Sequence, residues 1–321
     1  MPELPEVERT RLSLLPIVGR RVLDARLFRT DICDSYFLEG QPKQTTRGNL
    51  LKNKRIRSLT RRGKQLAIIT DDDNILCIQL GMSGRLCLLK PSEARALNLP
   101  EQPRSMFAFD DKTQRARTAR ERVRAKLPKH THALWKLSSG AILLFIDPRR
   151  FGGLSTYWTE RAFLKLRWSA LGPDALTITA RDLARACENS HRPIKSLLLD
   201  QSALAGVGNI YADESLFRAR INPGTHASSL TKPQLTALAR AIRFILARAI
   251  KAGGSTLRDY SDSSGTKGNA QSLHAVYARA NKPCPNCSHP LRGTRLAQRA
   301  TVFCPVCQPS PPKPRPQMKP A

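Results

Sequence analysis

Nowhere in this 321-residue chain is there a run of about 18 apolar residues, so no segment reads as a membrane-spanning helix. The opening string Met1-Pro2-Glu3-Leu4-Pro5-Glu6-Val7-Glu8 is acidic instead of basic and apolar, which argues against a secretory signal peptide. No internal repeat stands out, which argues against a solenoid or propeller. Negative charge is scarce: 25 Asp+Glu stand against 54 Lys+Arg, a formal net charge of +29. Such an excess calls for a polyanion, and nucleic acid is the commonest one; an acidic membrane surface is the competitor. The expectation is a soluble, cytoplasmic monomer, long enough for two domains.

The cysteines are few enough to sort. Cys33, Cys77, Cys87 and Cys187 are scattered and read as small buried hydrophobes in a reducing compartment. The other four form two C-x2-C pairs, Cys284/Cys287 and Cys304/Cys307, with sixteen residues between them. That spacing predicts two tight knuckles on a β-hairpin holding one structural zinc ion through four thiolates. With all four positions closed by protein, the metal would support the fold and activate no water.

The N-terminus carries the chemistry. Removal of Met1 would leave Pro2 with a free secondary amine, which condenses with an aldehyde carbon to give an iminium directly. An α-amino group titrates near ~8, so an appreciable fraction is neutral at pH 7, whereas a lysine near ~10.4 must first be tuned downward. Glu3 beside it and Glu6 one helical turn further on supply carboxylates for proton transfer. A plain acidic helix start explains the same residues without chemistry, because proline and glutamate are ordinary in a first turn.

Along the chain, residues 3 to about 15 read as a helix ended by Pro16 and Gly19. From Arg21 to about Trp158 the pattern is β-like: Arg21–Arg29 mixes β-branched and apolar residues, and Gln65–Thr70 and Ile75–Leu80 are apolar runs. A hairpin is expected around Ser138-Ser139-Gly140, within 134–146. Beyond Gly172-Pro173 the pattern turns helical. Thr179 opens a capping box with Asp182, Ile194–Asp200 starts a helix, and Gly206-Val207-Gly208 precedes another at Asn209. Leu235, Leu238, Ile242, Ile245, Leu246 and Ile250 form a core stripe in a helix over 230–252. The fold class expected is α+β: a helix and β-sandwich domain over 1–160, a helical domain over 161–272, a zinc hairpin over 273–308, and a disordered proline-rich tail over 309–321. Gln114 to Lys126 is a basic block within an insertion of about 91–129. It is either a solvated loop or an extra phosphate-binding arm.

Three loops complete the inventory: Arg61-Arg62-Gly63-Lys64, Leu80-Gly81-Met82-Ser83-Gly84, and Asp147-Pro148-Arg149-Arg150-Phe151-Gly152-Gly153. Together with the N-terminal string, Gly206 through Pro223, and Gln298-Arg299-Ala300-Thr301 in the cysteine hairpin, they resemble the formamidopyrimidine-DNA glycosylases, bacterial enzymes that excise oxidised purines. The likeness runs from residue 2 to about 308. It implies a helix–two-turns–helix DNA-binding domain and a bifunctional glycosylase and lyase acting on damaged double-stranded DNA in base excision repair. Pro2 would attack the anomeric carbon, Glu3 would transfer protons at the sugar, Glu6 would position the reacting groups, and Lys64 would act close to the lesion. Met82, Arg149 and Phe151 would fill the gap left by a flipped nucleotide, since a thioether and a ring replace stacking while a guanidinium bonds the orphaned base. Lys195, Asn209 and Arg299 would hold phosphates.

The chain departs from that pattern at the basic insertion. Thr266-Lys267-Gly268-Asn269 lacks an aromatic residue where the family can cover an everted purine, and Ala278 and Ser288 stand where glycine is usual; these last two are expected to matter little. A sister branch acting on oxidised pyrimidines shares the Pro2–Glu3 chemistry, but commonly has glycine where this chain has Leu4. A non-catalytic damaged-DNA binder would need neither residue at the terminus.

Overall fold

The computed structural model describes residues 2–36, 50–99, 123–256 and 260–310. Most of the basic block and nearly all of the expected tail lie outside these. Two compact units are present, Met1–Ala170 with Ala252–Gln271, and Leu171–Lys251 with Ser272–Ala321. The sequence placed 252–271 with the helices. Hydrogen bonds explain its return to the first unit: the Leu88 N–H donates to the Ser263 carbonyl at 2.7 Å, and the Ser263 N–H to Ser13 Oγ at 3.1 Å.

The first unit opens with α1 (Leu4–Ser13), followed by a 3-10 turn over Leu15–Ile17 and then Gly19 at φ +80°. Nine strands follow among the described residues: β1 (Val22–Leu27), β2 (Cys33–Tyr36), β3 (Ile56–Arg62), β4 (Gln65–Thr70), β5 (Ile75–Gln79), β6 (Arg85–Leu89), β7 (Thr131–Leu137), β8 (Ile142–Ile146) and β9 (Gly153–Tyr157). They form a four-stranded sheet, β1-β7-β8-β6, and a five-stranded sheet, β2-β9-β5-β4-β3. Pairing is antiparallel except between β2 and β9.

Leu66, Ile68, Leu76 and Ile78 of one sheet share a core with Trp135, Leu143 and Phe145 of the other and Val7 of α1. Each such side chain contributes about 1.5–3 kcal/mol when fully buried. Every residue of β8 is buried. Leu143 and Phe145 face the sandwich, while Ile142, Leu144 and Ile146 pack against Val123 and Leu127 on the outer face. A strand covered on both sides reads as a continuous apolar run, and this one does.

In the second unit Thr179 caps α4 (Ala180–Cys187) by accepting the Asp182 N–H, in the expected box. After α5 (Ile194–Leu199), Gly208 precedes α6 (Asn209–Arg218), and α7 (Lys232–Lys251) buries Leu235, Leu238, Ile242 and Leu246. β10 (Arg292–Leu296) and β11 (Arg299–Phe303) form the C-terminal hairpin, whose Leu291 and Val302 pack with Phe217 of α6. (α2, Pro91–Ala96, and α3, Glu160–Phe163, belong to the first unit.) No described helix is long and apolar enough to cross a membrane.

Candidate functional site

At the start of α1, Pro2 and Glu3 are buried, and the Glu3 N–H donates to Glu6 Oε2 at 2.8 Å. The other Glu6 oxygen, Oε1, accepts the Ser255 N–H at 2.7 Å, and the Glu6 carbonyl accepts the Tyr260 hydroxyl at 2.9 Å. Gly254, at φ +83°, lets this turn approach: a Cβ there would lie 3.1 Å from Glu6 Cγ and Oε1. Burial, with Glu6 nearby, pushes the Tyr260 phenol above its usual range, so it remains a donor. Glu6 therefore caps the residue beside Pro2 and is itself fixed by a segment some 250 positions away. Reasoning from sequence took Gly253-Gly254 as a helix stop and missed Ser255 and Tyr260. The paired glycines were the visible signal.

Glu8, further along α1, bonds Arg11 and Arg61 at 2.6 and 2.9 Å. Burial opposes its ionisation, but these two guanidinium groups hold the carboxyl below its ordinary value. Arg61 also donates to the Gly63 carbonyl, which ties the helix to the Gly63-Lys64 turn between β3 and β4. The two expected gap-filling loops project large apolar groups outward, with Met82 37% and Phe151 56% exposed, and the Arg149 guanidinium lies 5.0 Å from the Phe151 ring centroid.

In the second unit Lys195, expected to hold a phosphate, has protein partners around its ammonium group. It is 0% exposed, with Nζ 2.7 Å from Asp213 Oδ1 and 2.8 Å from both the Ala300 carbonyl and Thr301 Oγ1. An ammonium removed from water needs partners on all sides, and β11 supplies two of them. Asn209 Nδ2 also donates to the Ala300 carbonyl, at 2.9 Å, and Asp213 Oδ2 accepts the Val302 N–H at 3.1 Å. Burial pushes the Asp213 carboxyl up to about 6, although Lys195 opposes the shift. These three side chains grip residues 300–302. Arg299, at the start of the same strand, is exposed beside a tight turn in which Ala297 and Gln298 both have positive φ. Glu214 accepts the N–H groups of Ala275, Val276 and Tyr277 at 2.8–2.9 Å, fixing the approach to the hairpin.

The four sulfurs of Cys284, Cys287, Cys304 and Cys307 lie within 4.8 Å of one another, with contacts of 3.9 Å (Cys284–Cys307) and 3.5 Å (Cys287–Cys304). These are too long for disulfides and match the edges of a tetrahedron with metal–sulfur bonds of about 2.3 Å. Backbone N–H groups of Asn286 and Cys307 point at Cys284 and Cys304 sulfurs, each at 3.4 Å. The donor set fits one structural zinc ion.

Comparison with known proteins agrees with this geometry. Residues 1–154 match the formamidopyrimidine-DNA glycosylase N-terminal domain, 171–261 the H2TH domain of the same enzymes, and 281–309 the zinc finger found in FPG and IleRS. The formamidopyrimidine-DNA glycosylase of Acinetobacter baylyi is 37% identical over 311 residues, 96% of this chain and 98% of that one. The chain belongs to the formamidopyrimidine-DNA glycosylase family. The enzyme of that name from Desulfitobacterium hafniense is 36% identical, covering 96% of this chain and 100% of its own. The MutM (FPG) protein of Thermus thermophilus superposes with a TM-score of 0.74 at 35% identity, over 97% of this chain and all of that one. The Lactococcus lactis Fpg in complex with abasic-site DNA gives 0.74 at 28% identity, over 96% and 100%.

Set against the family pattern, two departures acquire a physical meaning. Ala278 and Ser288 have φ +59° and +60°. Both occupy the left-handed region where glycine is at ease, and each carries about 1–2 kcal/mol of strain. The segment 261–269 is held by Asp262 Oδ1, which accepts from the Ser264 and Thr266 N–H groups at 3.0 Å. Its Gly268 packs against main chain, since a Cβ there would lie 2.1 Å from the Gly254 carbonyl.

Proposed function

We propose that this chain excises oxidised purines from duplex DNA and then cleaves the strand at the abasic site, with Pro2 as nucleophile. The observation that carries the reading is the capped terminus: Glu6 holds the Glu3 N–H at 2.8 Å while anchored to Ser255, so the Pro2–Glu3 pair sits on a fixed support. Damaged double-stranded DNA is the substrate, in keeping with the net charge of +29.

Once Met1 is removed, the Pro2 nitrogen forms a bond to C1′ as the bond from C1′ to the base breaks. Glu3 transfers protons at the sugar, opening the ring and leaving an iminium. Successive eliminations on either side of the sugar then break the strand twice. Lys64, carried on the turn tied to α1 through Arg61 and Glu8, acts at the nearby phosphate. Met82, Arg149 and Phe151 occupy the vacated space in the duplex. Arg299 and Asn209 grip phosphates, with Lys195 acting behind the hairpin by fixing β11. Cys284, Cys287, Cys304 and Cys307 would hold one zinc ion, which would supply stability to the fold of this hairpin. A cytoplasmic location follows from the substrate.

Borohydride trapping on matched duplexes, one with 8-oxoguanine and one with a dihydropyrimidine, tests the reading. An adduct at Pro2, strongest with 8-oxoguanine, is expected. Preference for the pyrimidine lesion moves the chain to the sister branch. Failure of both duplexes to trap processed, DNA-binding protein overturns the catalytic assignment.

A further inference from the structure

We propose that Asp147 and Ser83 are positioning residues that join the Met82 loop and the Arg149–Phe151 loop into one preformed wedge. The inference rests on the reading in which Met82, Arg149 and Phe151 fill the space left by a flipped nucleotide. It adds the reason these three can do so together.

Asp147 follows β8 and is fully buried. Its Oδ1 accepts the Ser83 hydroxyl at 2.6 Å and the Arg149 N–H at 3.3 Å, while Oδ2 accepts the Gly152 N–H at 2.7 Å. Ser83 Oγ in turn accepts the Arg149 N–H at 3.1 Å. One carboxylate thus bonds a residue of the first loop and both flanks of Phe151 in the second. Its own carbonyl accepts His132 Nε2–H at 2.7 Å, which fixes it to the neighbouring strand β7. The bonds from Ser83 and Gly152, at 2.6 and 2.7 Å, are as short as strong hydrogen bonds become.

The main chains also touch. A Cβ on Gly81, which sits at φ +62°, would lie 2.3 Å from the Phe151 carbonyl carbon. One on Gly152 would lie 2.8 Å from both the Gln79 carbonyl and Phe145 Cζ. The loops therefore cannot slide past each other. Their exposed side chains project from a base that is already ordered, so little loop entropy is lost when the duplex is entered.

The test uses the full chain with processed N-terminus and three variants, Ser83→Ala, Ser83→Thr and Met82→Ala. Single-turnover excision of 8-oxoguanine from a duplex is compared with strand cleavage at a preformed abasic site in single-stranded DNA, where there is no duplex gap to fill. Ser83→Ala is expected to lower the ratio of duplex excision to single-strand cleavage about ten-fold, the size of losing one charge-assisted hydrogen bond. Ser83→Thr restores most of it, and Met82→Ala reproduces the split. Equal losses of both activities in Ser83→Ala, or no loss in either, overturn the proposal. A split in Met82→Ala without one in Ser83→Ala overturns the joining alone. No split in Met82→Ala removes the gap-filling reading and the proposal with it.

Discussion

Replacing Lys195 with methionine asks what that lysine is for. Methionine fills a similar volume but removes a charge that lies 2.7 Å from Asp213 and the bonds to Ala300 and Thr301. Breaking one side of a buried ion pair costs about 3–5 kcal/mol. Some of that is recovered at low pH, because the Asp213 carboxyl, already raised to about 6, becomes protonated when the cation is gone. At pH 8 there is no such recovery, and even the lower end of that cost, about 3 kcal/mol, is about two orders of magnitude in the local opening equilibrium of the hairpin. Zinc release to a chromophoric chelator reads that opening. Lys195→Met should release metal about a hundred-fold faster than the unaltered protein at pH 8 and much less so at pH 5.5. Adding Asp213→Asn, which keeps an acceptor for the Val302 N–H, should restore most of the loss. Wild-type release from Lys195→Met, with a DNA-binding salt slope reduced by about 0.9, would show that the lysine serves as a surface phosphate contact and refute the tether.

Ala278→Gly and Ser288→Gly relieve about 1–2 kcal/mol of left-handed strain against about 0.4–1 kcal/mol of added unfolded-chain entropy, so each should raise stability by up to about 1 kcal/mol in denaturant unfolding; a loss of stability would mean the turns hold no such strain. Asp213 provides a pH dependence. Its folded pKa of about 6 exceeds the ordinary 3.8, so its contribution is fully present below 3.8 and is lost as pH rises through 6. The loss is about 3 kcal/mol at most, and a melting-temperature difference between wild type and Asp213→Asn that stays flat from pH 4 to 7 would contradict it. Glu6→Gln leaves one of two buried N–H groups without an acceptor. It should lower the single-turnover rate about ten-fold or more, with affinity for a stable abasic-site analogue unchanged. Equal losses in rate and affinity would point to general unfolding of the terminus.

Much of the fold was legible because local signals and tertiary demands agreed. Gln65–Thr70 was read as an apolar run and is β4; β8 lay within the expected hairpin; and Leu235, Leu238, Ile242 and Leu246 of the α7 stripe are buried, with Ile245 and Ile250 half-buried. β3 was missed because its apolar Ile56 and Leu59 are separated by basic and polar residues on a half-covered strand. β2 and β9 escaped because their parallel pairing joins segments about 120 residues apart, which leaves no short-range trace. At the site, residue types were readable and partners were not. Glu6 was suspected of positioning, but Ser255 and Tyr260 meet it only through the fold. Lys195 was given a phosphate through the family resemblance, and nothing in Ile194-Lys195-Ser196 signals its burial. Asp213 and the main chain of β11 decide it.

The return of residues 252–271 to the first unit has a consequence for the order of synthesis. A ribosome that has made residues 1–170 has made the sandwich but not the turn that anchors Glu6, since Ser255 and Tyr260 come later. Domains generally fold as they emerge, N-terminal first. Here the turn that anchors Glu6 closes only after the chain between 171 and 251 has been made. The N-terminus is thus braced late although it is translated first, and a chain that stops before residue 255 carries Pro2 without this brace.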